Sequence, residues 1–187
     1  MRKLLGSVAV IGAVFWAVAA HAVPIAAGSE LSINGSDNFT QTQINFTGSG
    51  NVGGTQGDFN VLVPCTACVT MIASISAGTT GTLYNVIDGA FSSTLVLNND
   101  EQLTFTPGPT PAQDALEITG TGILTLTGRD ATPGNYVVTT QGPTNAAVTF
   151  SATSSALAVP EPAATAIFAM ALLAMGLVVA AHRRRRD

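Results

Sequence analysis

Cys65-Thr66-Ala67-Cys68 is the first place in this chain where residue type and spacing could carry chemistry. A C-x-x-C pair can be a dithiol redox site, half a zinc site, or a disulfide across a tight turn. Zinc needs two more ligands, and the middle of the chain has no other cysteine and no histidine. A thioredoxin-like site needs a helix after its first cysteine, yet Val69-Thr70-Met71-Ile72 reads as strand. In an oxidising compartment a structural Cys65–Cys68 disulfide is the expectation.

The acids are the second group. Asp100-Glu101, after Asn98-Asn99, offers oxygen ligands to calcium, with Asp88, Asp114 and Asp130 as further candidates. No EF-hand spacing is present, and acids in turns ordinarily face water, so no metal site is assigned. Paired carboxylates could also serve a glycosidase, but Tyr84, Tyr136 and a few Phe make a poor sugar-stacking groove. His21, His182 and Trp16 all lie in the terminal segments, and the middle has no lysine. The usual general base, the commonest metal ligand and the Schiff-base amine are missing together. The reading is a non-enzyme with no catalytic residue and no cofactor.

Charge narrows the partners further. Between residues 23 and 159, Arg129 stands alone against Glu30, Asp37, Asp58, Asp88, Asp100, Glu101, Asp114, Glu117 and Asp130, a net charge of −8. Such a surface repels phosphate backbones, so no nucleic-acid partner is expected. Asn38-Phe39-Thr40 and Asn45-Phe46-Thr47 match glycosylation sequons, but their Phe residues look like core.

These residues need a frame. Residues 23–150 are rich in Thr, Ser, Gly and Asn, with Val, Ile, Leu and Phe between them. Period-two alternation bounded by Gly, Pro and Asn predicts strands over 38–47, 58–63, 67–76, 82–88, 94–97, 102–106, 115–127, 135–141 and 147–153. Many short strands without a long amphipathic helix predict an all-β ectodomain, an antiparallel β-sandwich or jelly roll. Residues 151–158 read as a flexible stalk.

The two ends are apolar. Arg2 and Lys3, the apolar run 4–19 and the small-x-small site Ala20-His21-Ala22 predict a signal helix over 1–22, cleaved after Ala22. At the other end stand Val159-Pro160-Glu161-Pro162, an uncharged run over 163–181, then Arg183, Arg184, Arg185 and Arg186. About nineteen helical residues reach about 28 Å, the length of a transmembrane helix. The arginines would resist translocation and act as a cytoplasmic stop-transfer signal. The alternative is a permanent single-pass anchor.

The Val-Pro-Glu-Pro box, apolar span and terminal arginine cluster over residues 159–187 resemble the PEP-CTERM sorting signal. Asp187, after the arginines, is a minor departure. The resemblance implies export through the Sec translocon, signal-peptidase cleavage, then processing near Pro160-Glu161-Pro162 by exosortase, a membrane cysteine protease. It implies an inner-membrane intermediate in a Gram-negative bacterium, then a place at the cell surface or in the matrix. It also implies association with extracellular polysaccharide in a biofilm. The alternative role for the domain is an adhesive module that binds carbohydrate or depends on calcium.

Overall fold

The computed structural model describes residues 22–62, 64–159 and, further on, 171, 172 and 175. Its strands are β1 (Glu30–Phe39), β2 (Gln43–Gln56), β3 (Val69–Met71), β4 (Ser74–Ser76), β5 (Gly81–Asp88), β6 (Phe91–Leu97), β7 (Gln102–Thr106), β8 (Ala115–Leu126), β9 (Thr132–Gln141) and β10 (Val148–Ala156). Single 3-10 turns occupy Gly57–Val61 and Pro111–Gln113.

Hydrogen bonding runs β1-β10-β9-β8-β6-β5-β3-β2 and returns to β1, closing an antiparallel barrel of 8 strands. β4 adds to β2 and β7 adds to β8. The expected sandwich or jelly roll is therefore corrected. A sandwich leaves sheet edges unpaired, whereas here β1 pairs with β10 on one side and with β2 on the other. Glycine explains the curl. β2 carries Gly48, Gly50, Gly53 and Gly54, and its register against β1 shifts twice. Such irregularities bend a strand and raise its twist, which closure requires.

The flanking helices are corrected as well. Among the described residues no helix is long and apolar enough to cross a membrane. Residues 1–21 and most of 163–181 lie outside the described residues, as do Pro160–Pro162 and Arg183–Arg186. Local expectations also shift: the strands expected over 38–47 and 67–76 are each split between two strands. Residues 58–61, expected as strand, belong to a 3-10 turn that buries Phe59. The segment expected as a stalk continues β10 to Ala156, paired with β1 and β9.

The interior is apolar. β9 alternates buried and exposed at every position, and the core it joins includes Leu31, Ile33, Phe39, Leu95, Ile118 and Val138. The outer wall is polar, the reverse of a barrel that faces lipid. Gly120 pairs with Tyr136 across β8 and β9, and the Tyr136 ring lies over it. An aromatic side chain covering a cross-strand glycine restores the packing that the glycine omits.

The seam between β2 and β3 is the thinnest in the wall, with one registered pair, Gly50↔Val69. The cysteines sit beside it. Cys65 and Cys68 are disulfide-bonded with Cα atoms 5.9 Å apart. The Val52 N–H donates to the Cys65 carbonyl (3.0 Å), and the Ile87 N–H donates to the Cys68 carbonyl (3.2 Å). The Ala67 N–H donates to Asn51 Oδ1 (2.8 Å). The loop thus ties β2 to β5 around short β3. Chain-entropy arguments for so small a loop predict that Cys65→Ser with Cys68→Ser costs about 2 kcal/mol. Urea melts with and without reductant measure this, and an unchanged midpoint would remove the cysteines from the seam's stability.

Candidate functional site

The acids read as calcium candidates are scattered. Asp88, at the end of β5, and Asp130, bridged to Pro24, lie at the pole where the termini leave, Asp114 lies at the opposite pole, and Asp100 and Glu101 lie between β6 and β7. Asp100 stays outside, where Oδ1 accepts the Thr121 N–H (2.8 Å) and Oδ2 accepts the Thr121 hydroxyl (2.6 Å). Those two bonds hold its carboxyl below the usual carboxylate range. Glu101 turns the other way and is buried. It accepts the Gly78 N–H (3.1 Å) and the Tyr136 hydroxyl (3.3 Å). Adjacent residues on extended chain point to opposite faces, so the pair cannot converge on one ion. Asp114 Oδ1 accepts the Gly108 N–H (2.9 Å) and shapes its own loop. Among the described residues no group of three His, Cys, Asp or Glu could hold a metal ion.

The interior polar groups are enclosed. The Tyr84 hydroxyl and Ser154 Oγ are 2.7 Å apart, and burial pushes the Tyr84 phenol above its usual range. Burial, then the nearby Glu101 charge, does the same to Tyr136. Asp37 is fully buried, and neither of its oxygens has a hydrogen-bond partner.

What the fold does build is an outer wall of hydroxyls and amides. Register sets Ser36, Thr149 and Gln141 side by side across β1, β10 and β9. The next row is Asn34, Ser151, Thr139, Glu117 and Thr104. The row beyond holds Ser32, Thr153, Val137, Thr119 and Gln102. An open groove of about 610 Å³ crosses β7, β8, β9 and β10 on this wall, with Ala112 of the 3-10 turn at its rim. Its side chains offer hydroxyl and amide donors and acceptors, and Glu117 is its one charge. Phe150, at its floor, is buried and packs edge-on to Phe46 inside the barrel, ring centroids 4.8 Å apart.

This surface can hydrogen-bond a polyhydroxylated chain but has no aromatic platform on which a sugar could stack. The period-two run Thr149, Ser151, Thr153, Ser155 was the available signal, but only pairing of four strands turns it into rows. Compared with protein-family models, with curated proteins and with solved structures, the chain has no significant match.

Proposed function

We propose that this chain is an exported, exosortase-processed surface or matrix protein without enzymatic activity, whose barrel turns a hydroxyl-and-amide wall toward neutral extracellular polysaccharide. One observation carries the reading: both ends of the barrel leave from one pole. Glu30 pairs with Ser155, the Gly28 N–H donates to the Ala156 carbonyl, and the Ala156 N–H donates to the Ser29 carbonyl. The barrel is complete at Ala156, three residues before the Val-Pro-Glu-Pro box begins at Val159. A processing enzyme at the membrane would meet the box beside a finished domain. The rest of the barrel would face away from the membrane. The scattered, internally bonded acids and the absence of His and Lys from the middle support a binding or structural role over catalysis.

Intact-mass spectrometry of membrane and extracellular fractions of the native host tests the sorting. The expected released species begins at Val23 and ends within Pro160–Pro162 or a few residues beyond, and deletion of residues 163–187 abolishes membrane retention. A membrane species that keeps Arg183–Arg186, with no released form, would retire the exosortase reading. The polysaccharide arm is tested separately by sedimentation with neutral and acidic glycans. Retention by neutral glycan alone is expected, and Thr139→Lys, in the middle of the groove, should weaken it.

A further inference from the structure

β8 is shared between two partners: its second half pairs with β6 and its first half with β7. β7 has no second neighbour among the described residues. The direction of its unpaired groups can be worked out. The Thr121 N–H donates to Asp100 Oδ1, and the Thr121 carbonyl accepts the Asn98 N–H, so Thr121 turns its backbone to the β6–β7 side. Alternation carries that direction to Thr119, Glu117 and Ala115. Their register partners Gln102, Thr104 and Thr106 therefore spend their backbone groups on β8. The N–H and C=O of Leu103 and Phe105 point the other way, into the open edge.

We propose that β7 is a docking edge at which two copies of this chain pair antiparallel about a two-fold axis through Thr104. Natural edge strands are ordinarily blunted by charge, proline or a bulge. Gln102-Leu103-Thr104-Phe105-Thr106 has none of these, and the first proline comes only after it, at Pro107. Its free groups are also self-complementary. An axis at Thr104 sets Leu103 of one copy opposite Phe105 of the other, twice, and satisfies all four outward N–H and C=O groups on each strand.

The side chains agree with this register. Leu103 and Phe105 are only partly buried although they pack on the core, so each would cover the other's exposed part. The two Thr104 residues would meet as a non-hydrogen-bonded pair, with Cα atoms about 4.5 Å apart. A second copy is the partner that the chain itself supplies, matched in length, polarity and register. Glu117 is the register partner of Thr104 and so lies beside the axis in both copies, and added salt should strengthen the dimer. The inference does not rest on the sorting or polysaccharide readings.

Cross-linking of the full chain tests it, with sedimentation of the wild type alongside. Thr104 is exposed, so Thr104→Cys is expected to fold normally, which a thermal melt checks. Under mild oxidation Thr104→Cys should form a covalent dimer roughly tenfold faster than Thr106→Cys, whose sulfurs the axis holds far apart. The wild type should sediment as a salt-strengthened dimer. A wild type that stays monomeric up to roughly 100 μM overturns the proposal, that being the range of a small interface. Equal cross-linking at both positions, or faster cross-linking at Thr106, also overturns it.

Discussion

Gly122→Ala is expected to lower the stability of the barrel by about 3 kcal/mol, near the top of the range for overpacking in a well-filled site. Gly122 faces inward where β6, β8 and β9 converge, paired with Leu97 on one side and Gly134 on the other. A Cβ there would stand 2.4 Å from the Val96 carbonyl oxygen and 2.7 Å from Leu95 Cδ1. The leucine tip can move. The carbonyl cannot, because it belongs to the wall. Relief would require β6 to separate from β8 near the point where β8 changes partner from β6 to β7. The control is Gly128→Ala in the β8–β9 turn, where φ is +80° and nothing lies within 4 Å. That change carries only the backbone cost of about 1 kcal/mol. Urea melts of the two variants decide the matter. Equal losses would mean that the wall yields at Gly122 and that the glycine pair is not what permits close packing.

Asp37→Asn is the second large effect, and its sign is opposite. Asp37 points inward from β1 and is fully buried, and neither oxygen has a hydrogen-bond partner. Burial raises its pKa from 3.8. The Thr140 hydroxyl offsets this in part, although it stands short of bonding geometry. A raised folded-state pKa means that folding disfavours the ionised form. Below 3.8 the carboxyl is protonated in both states and carries no penalty. As pH rises the unfolded chain ionises first, and stability is lost until pH passes the folded-state pKa. Asparagine removes that loss. The variant should match the wild type at pH near 3 and exceed it by about 1–3 kcal/mol at pH near 8, the scale of an unpaired buried polar group. Urea melts across that range measure it. A variant less stable than the wild type at pH near 8 would show that the carboxylate is satisfied inside the barrel.

The all-β character of the middle and most strand positions were legible from residue type alone. The strand over 115–127 follows from period-two alternation, because one inward and one outward face leave that mark on sequence, and the strand over 82–88 follows from its apolar run. β1 and the second half of β2 left a weaker mark. Ser32, Asn34, Ser36 and the glycines of 48–54 resemble loop composition, yet the closed wall gives them partners on both sides. Residues 58–61 alternate like a strand, but the chain needs to turn after β2, and a 3-10 turn still buries Phe59.

The candidate chemistry divides in the same way. The absence of His and Lys from the middle, the acidic balance and the C-x-x-C spacing are properties of composition and order, so the sequence by itself determined them. It also carried the terminal pattern of basic start, apolar run, Val-Pro-Glu-Pro box and arginines, since each is a short contiguous segment. Only the tertiary structure decided that the wall closes as a barrel, that Asp100 and Glu101 face opposite ways, and that Asp37 is shut inside. It alone lined four strands' hydroxyls into one groove and, among the described residues, left the β7 edge unpaired. Each of these depends on which strand lies beside which, through pairs such as Glu30↔Ser155 that are far apart in sequence. A local pattern says which face of a strand is apolar; closure and register say what that face meets.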